Sequence, residues 1–368
     1  MRIAHLSRIR GPADGGISLI VEEMSSAQRR ASALVAAEQA VIHWLAEPDD
    51  LAVDLRRFAP DLAHVHGLWS HPNRLLPRWP QLPAVIAPQG MLDPWALEQS
   101  RWRKRLAWRL FERGNLRRAG AVQALSGAEL EAIRARGIRS PVAIIPNAVS
   151  LPVLEAPPPR PTMTPWSMGE ERVLLFLSRF HEKKGLDPLL RAWQAVNSDA
   201  ARHGWRLVLV GYGDQGRLAE RVAAAQRRGE LAGVEVLGPC FGAVKQDCFT
   251  SASAFVLPSF SEGLPMAALE AMAHRLPCLL SPACNLPSAF SAGAALKAES
   301  EAPALAAALC RLFALSPAER GAMGAAGRQL VAEHYSWPRV AEQTLRLYSW
   351  ILGGGTPPPF VDLGPARS

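Results

Sequence analysis

A proline-rich segment, LEAPPPRPTMTPWSMG, runs from Leu154 to Gly169 and divides the chain into two stretches with the same internal rhythm. Proline removes backbone donors and fixes φ, so this segment reads as a linker rather than a helix or strand. Before it, short apolar runs (MRIAHLS, DLAHVHG, PAVIAPQG, AGAVQALS, VAIIPNA) are interleaved with helical sequences such as ISLIVEEMSSAQRRA and GAELEAIRARG. After it the pattern restarts: RVLLFLSRF, RLVLVG, GVEVLG, AFVLPS and LPCLLS read as strands. GLDPLLRAWQAV, RLAERVAAAQRRG, APALAAALCRLFAL and PAERGAMGAAGRQLVAEH read as helices. Strands separated by helices pair in parallel through crossover connections. The chain is therefore expected to be an α/β protein with two Rossmann-like domains, 1–153 and 170–336, joined by the 154–169 linker. A helix over 337–352 and a flexible Gly/Pro-rich tail over 353–368 are expected to follow.

At 368 residues there is room for two cores, and 49% hydrophobic against 20% charged residues excludes a disordered chain. The five cysteines form no C-x-x-C pair and read as reduced thiols of a cytoplasmic protein. No apolar run approaches the roughly 20 residues a spanning helix needs, and MRIAHLSRIR reads as a first strand, not a leader. The net charge of +8 calls for an anionic partner. No recognised nucleic-acid motif is present, so that partner is not expected to be nucleic acid. One stretch concentrates the charge. In RWRKRLAWRLFERGNLRR, Arg101, Arg105, Arg109, Arg113 and Arg117 recur every four residues beside an apolar line of Trp102, Leu106 and Leu110. Like charges at that spacing repel by roughly 0.2–0.5 kcal/mol per pair, whereas an anionic leaflet rewards each by about 1 kcal/mol. Membrane contact through Arg101, Trp102, Arg105, Arg109 and Arg113 is expected. The alternative is a solvated helix whose apolar line packs on the core, with Glu98 and Glu112 as counter-charges.

The most chemically informative stretch is SEGLPMAALEAMAHRLPCLLS, from Ser261 to Ser281. Glu262 and Glu270 have seven residues between them around a turn that opens a helix, with Pro265 suited to the first helical turn. Glu262 and Gly263 fall on the entry loop, where free N–H groups and the dipole favour a diphosphate. Glu270, inside the helix, can accept from sugar hydroxyls. A general acid and base pair is the competing reading, but it does not require the glycine and proline. Arg179 and Lys184 follow a strand in SRFHEKKG, where a parallel sheet presents ligand residues. Gly211, Gly213 and Gly216, with Glu235 further on, spell a dinucleotide fingerprint, but in the second βα unit of the second half rather than opening the chain. No D-x-D pair and no His/Cys set at zinc spacing occurs, so no metal is expected.

These segments fall in an order that resembles glycosyltransferase family 4, retaining nucleotide-sugar transferases of the GT-B fold. The series is Gly15-Gly16, HVHGLWS with His66, PNAV from Pro146, FLSRFHEKKGLDPLLRAW, the carboxylate stretch and YSWPRVAEQTLRLY. The resemblance covers nearly all of residues 1–352. It implies two Rossmann-like domains facing a cleft, with the last helix crossing back to the first. It implies that Arg179 and Lys184 stabilise the leaving diphosphate, Glu262 contacts the donor sugar and Glu270 binds ribose hydroxyls. Gly15 and Gly16 would let backbone approach the diphosphate, and Gly211 would line the donor site with Gly263, Leu264 and Pro265. Gln89 stands where many relatives carry a histidine that touches the donor sugar, which leaves His66 as the nearby imidazole for an acceptor or sugar contact. Arg275 replaces a usual glycine and Ser288 a common glutamate. The implied activity is transfer of a hexose from a nucleotide-diphosphate sugar, without metal or other cofactor, to a glycan or polyprenyl-diphosphate-linked acceptor of a bacterial surface polysaccharide. Two rivals remain: a nucleotide-sugar 2-epimerase and a non-catalytic subunit of a polysaccharide assembly complex.

Overall fold

The computed structural model describes residues 1–7, 17–34, 41–45, 51–98, 101–153, 166, 169 and 171–364. The chain forms two compact units, Met1–Ala148 with Tyr335–Ser368, and Val149–His334. The first holds a seven-stranded sheet: β1 (Arg2–Ser7), β2 (Val41–Leu45), β3 (Leu62–His66), β4 (Ala84–Ala87), β5 (Ala121–Ala124), β6 (Val142–Ile144) and β13 (Val361–Asp362), in the order β13-β6-β5-β4-β3-β1-β2. The second holds six: β7 (Arg172–Leu177), β8 (Trp205–Val210), β9 (Val234–Leu237), β10 (Ala254–Leu257), β11 (Cys278–Leu280) and β12 (Ala295–Lys297), ordered β12-β11-β10-β7-β8-β9. Every pairing is parallel except β13 with β6. Two Rossmann-like sheets with crossover helices are the GT-B fold, as the alternating pattern required.

Strand alternation sorts the first unit's core onto two faces. Ile3, Leu62, Val85 and Ala121 face one side, with Met24. Ala4, Leu6, Ala63, Val65, Ile86 and Val122 face the other. The helix Trp337–Gly353 covers the first of these faces through Val340, Ala341, Leu347 and Tyr348, and it lies along the helix Ile17–Leu34. The expected return of the last helix to the first domain is thus realised by burial of one apolar stripe.

One expectation fails. Within the tail expected to be flexible, Val361 and Asp362 pair antiparallel with Ala143 and Val142, and the Ile144 N–H donates to the Phe360 carbonyl at 2.9 Å; residues 365–368 lie outside the described residues. Gly354 and Gly355, at φ +73° and +91°, turn the chain back after the helix. Arg134 then clasps Asp362 in an ion pair. The sequence of the turn looked like a disordered end because the two-residue strand carries no periodicity of its own. The five cysteines are free thiols, with Cys248, Cys278 and Cys284 buried.

Candidate active site

In the second unit, the loops after β7, β10 and β11 converge, as the carboxyl ends of neighbouring parallel strands do. After β7 the chain passes Arg179 and enters a single 3-10 turn, Glu182–Lys184. The His181 side chain caps it by accepting from the Lys183 N–H at 3.1 Å. Gly185 follows in the left-handed region, at φ +70°. A Cβ there would lie 2.0 Å from the Pro258 carbonyl oxygen. That approach brings Lys184 against the loop after β10, where the Phe260 N–H donates to the Lys183 carbonyl at 2.8 Å. Gly185→Ala is therefore expected to destabilise this unit by about 2 kcal/mol or more, read as a lowered denaturation midpoint. An unchanged midpoint would show that the loop can move aside.

The close approach places the Lys184 Nζ 2.6 Å from Glu262 Oε1, both side chains largely buried. Ser259 Oγ donates to the same oxygen at 2.6 Å. The loop after β11 holds the Glu262 backbone: its N–H donates to the Ala283 carbonyl at 2.9 Å, and Asn285 Nδ2 donates to its carbonyl at 2.5 Å. Asn285 adopts φ +56°, which a short polar side chain tolerates. Arg179 is exposed and has no hydrogen bond or ion pair among the described residues. Lys184 and Glu262 thus form a buried, hydrogen-bonded charge pair, and Arg179 supplies the uncommitted cation of the pair expected from SRFHEKKG. Ser259 and Asn285 were silent in the sequence, because both act through contacts fixed only by the loop geometry.

The helix beyond begins one residue later than expected, at Met266, with Pro265 as N-cap. The Ala268 and Leu269 N–H groups bond the Pro265 carbonyl at 2.9 and 3.1 Å. Gly263 and Leu264 lie on the entry loop. Glu270, a turn inside, is paired with Lys245 at 2.6 Å, from the helix Gly242–Ser251 that the sequence reading passed over. The first two glycines of the fingerprint have a structural reason; a Cβ on Gly216 would meet nothing within 4 Å. A Cβ on Gly211 would lie 1.9 Å from the Ser178 carbonyl oxygen, and one on Gly213, at φ +122°, 2.5 Å from that of Phe180. They let the turn after β8 cross the chain leaving β7. Arg275 sits at φ +60°, in the turn where glycine is usual, and its carbonyl packs on Gly324. Ser288 lies in the helix Pro287–Ser291.

In the first unit, Gly15 and Gly16 lie outside the described residues. His66 ends β3 and is buried with His5 of β1 and His64 of β3. Gln28 Nε2 donates to Thr344 Oγ1 at 2.8 Å and to Tyr348 Oη at 3.2 Å, so its carbonyl oxygen faces His5. His5 Nε2–H then donates to Gln28 Oε1 at 2.8 Å, and His5 Nδ1 accepts from His66 Nε2–H at 2.9 Å. His64 Nδ1 meets Tyr348 Oη at 2.6 Å. His64 Nε2 and His66 Nδ1 have no partner. The three imidazoles have ligand atoms within 4.8 Å of one another, a cluster the sequence reading missed because it took His66 alone. Neutral tautomers account for three of the six ring nitrogens in one directed chain, and burial pushes all three pKa values down, His5 to about 4. Gln89 adopts φ +57°, and its Oε1 accepts from Asn147 Nδ2 at 2.8 Å.

The basic stretch is not one regular helix. Arg101–Ala107 is α-helical, Trp108–Glu112 forms a π turn, and Arg113–Arg118 is α-helical again. The wider turn breaks the every-fourth arithmetic between Arg109 and Arg113. Trp102, Leu106 and Leu110 are 67%, 52% and 70% exposed, so the apolar line does not pack on the core. Glu112 is not a counter-charge but is fully buried. It accepts from the Trp69 N–H at 2.5 Å and from Asn73 Nδ2 at 3.3 Å, bracing a Trp69 held at φ +62°. Burial raises its pKa from 4.5 to about 7. The folded state thus holds a proton that the unfolded chain releases between those values, and stability falls as pH rises through that window. Glu112→Gln keeps the bond to Trp69 and removes the buried charge. It is expected to gain about 3 kcal/mol over the wild type at pH 8 and little at pH 5, read from melts at both. A pH-independent difference would contradict this.

Two family descriptions match the chain. "Glycosyl transferase 4-like domain" matches residues 14–148, and "Glycosyl transferases group 1" matches residues 171–314. With the two sheets, they place the chain by fold and domain content among the GT-B glycosyltransferases. Alpha-maltose-1-phosphate synthase of Mycolicibacterium smegmatis is 30% identical over 190 residues, covering 48% of this chain and 47% of that protein. The matches to curated relatives span less than half of those proteins' lengths. The sucrose-phosphate synthase of Thermosynechococcus elongatus superposes with a TM-score of 0.74 at 17% identity, over 96% of this chain and 100% of that one. HepE of Anabaena, solved with UDP-glucose, superposes with a TM-score of 0.68 at 16% identity, over 95% and 99%.

Proposed function

We propose that this chain is a retaining, metal-independent hexosyltransferase that uses a nucleotide-diphosphate sugar to extend a lipid-linked bacterial surface glycan. The observation that carries the reading is the Lys184–Glu262–Ser259 cluster at the carboxyl ends of β7 and β10, beside a helix N-terminus. Cleaving a sugar–diphosphate bond puts charge on a phosphate oxygen, and preorganised cations and amide dipoles stabilise that charge as it forms. Lys184 is held next to the entry loop by Gly185, and Arg179 projects as a second cation able to bind phosphate oxygens in bidentate fashion. Glu262 is oriented by Lys184, Ser259 and Asn285, and its role is to fix the donor hexose. Glu270, at the second turn of the helix, accepts the ribose hydroxyls in place of Lys245. The acceptor hydroxyl attacks C1 on the face the phosphate leaves. The C1–O electron pair passes to the phosphate oxygen, which takes the acceptor's proton, and the donor's anomeric configuration is kept. The UDP-glucose bound by the HepE neighbour supports a nucleotide-sugar donor.

No helix among the described residues is long and apolar enough to cross a membrane. The exposed Trp102, Leu106 and Leu110, flanked by Arg101, Arg105, Arg109 and Arg113, support peripheral attachment to the anionic inner face of the cytoplasmic membrane. A thermal-shift screen of UDP-, GDP- and dTDP-sugars tests the donor. At a hundredfold excess over Kd the true donor adds about 2.7 kcal/mol. No shift with any of them would overturn the reading.

A further inference from the structure

The first unit contains a pocket of about 570 Å³ that none of the described donor-site residues lines. That size suits a small ligand. Trp69 and Trp108 line it, and their ring centroids lie 6.4 Å apart. Lys104, Arg105 and Arg109 line it from the basic stretch, and Arg136 from the end of the helix Gly127–Ala135. Arg101 adds a fifth cation, and Glu98 is the one carboxylate among the described lining residues. None of the five cations is in an ion pair among the described residues.

We infer that this pocket is an anion site that takes the phosphate or diphosphate group of the sugar acceptor. Five cations share one cavity with a single carboxylate, and their mutual repulsion is relieved by a multiply charged ligand. Guanidinium groups from two elements match phosphate oxygens in bidentate geometry, which a carboxylate ligand would use less fully. Lys104 commits one N–H to the Ala96 carbonyl, at 2.5 Å, and so points a fixed ammonium rather than a free one. The buried Glu112 holds the Trp69 backbone, and the π turn carries Trp108, whose ring centroid lies 6.4 Å from that of Trp69. The cavity exceeds the volume of a phosphate, leaving space along the indoles for the group it is esterified to. Trp102, Leu106 and Leu110 are exposed apolar side chains on the same stretch. The basic residues near Arg101 therefore face a formed pocket as well as a surface.

The identification of the ligand as an acceptor rests on the glycosyltransferase reading; the anion site itself does not. The test is calorimetry on the full chain with inorganic pyrophosphate, geranyl diphosphate and, separately, UDP-glucose, for wild type, Arg136→Ala and Lys104→Ala. Losing one charge-assisted contact is expected to weaken geranyl diphosphate binding about tenfold or more, with UDP-glucose affinity unchanged. Arg136 is exposed, so its removal does not threaten folding. Geranyl diphosphate bound tighter than pyrophosphate assigns the pocket to a lipid-linked acceptor. Equal affinity assigns it to a soluble phosphorylated one. Diphosphate binding that both substitutions leave unaltered, or no diphosphate binding by the wild type, overturns the inference. Failure to bind UDP-glucose alone would sink the donor reading and leave the anion site standing.

Discussion

Lys184→Ala is expected to lower turnover by about 100- to 1000-fold, the usual cost of removing one preorganised donor from a site of developing charge. The substitution also strands Glu262, a carboxylate only 7% exposed, with Ser259 as its remaining side-chain donor. Breaking a buried pair from one side costs about 3–5 kcal/mol, so lost activity and lost stability must be separated. The double variant Lys184→Ala/Glu262→Gln does this, because it removes both charges together. It is expected to recover most of the melting temperature lost by Lys184→Ala while remaining as inactive. Recovery of turnover along with stability would mean that the pair is a structural clamp and nothing more.

Acid should unfold the first unit early. His5, His64 and His66 are neutral in the folded state, with His5 titrating at about 4 and the others also lowered, against 6.5 when unfolded. Below pH 6.5 the unfolded chain therefore binds more protons than the folded one, and stability falls as pH falls. Each histidine contributes about 1.4 kcal/mol per pH unit. Glu112 acts in the opposite sense between about 7 and 4.5 and offsets one of the three. Stability is expected to fall as pH drops from 6.5 toward 4.5, three lowered imidazoles outweighing one raised carboxyl. His5 alone accounts for about 3 kcal/mol in total by pH 4. Urea denaturation at pH 7.5 and 5.5 measures it, and equal stabilities at the two would exclude a neutral imidazole cluster.

The βα alternation was legible because buried parallel strands are continuous apolar runs such as RVLLFL and RLVLVG, with little else they could be. The short edge strand β13 was not, since two residues have no pattern, and β2 at VIHWL was passed over. Lys184 and Glu262 were both visible in their segments, but their contact spans 78 positions and depends on left-handed backbone at Gly185 and Asn285. His64 and His66 share a strand face because side chains alternate with period two, and only the β1–β3 register, which sets His5 opposite His64, makes the cluster. The arginine ladder misled by its regularity: the π turn at Trp108–Glu112 carries no sequence mark, yet it turns Glu112 inward.

The central claim is that fixed side chains and amide dipoles, not a divalent cation, absorb the charge of the leaving nucleotide. The most direct test is NMR of the product formed from an α-linked nucleotide-hexose and acceptor with EDTA present. An α-linked product at an undiminished rate is predicted. Turnover that vanishes in EDTA and returns with magnesium or manganese, or a β-linked product, would contradict it.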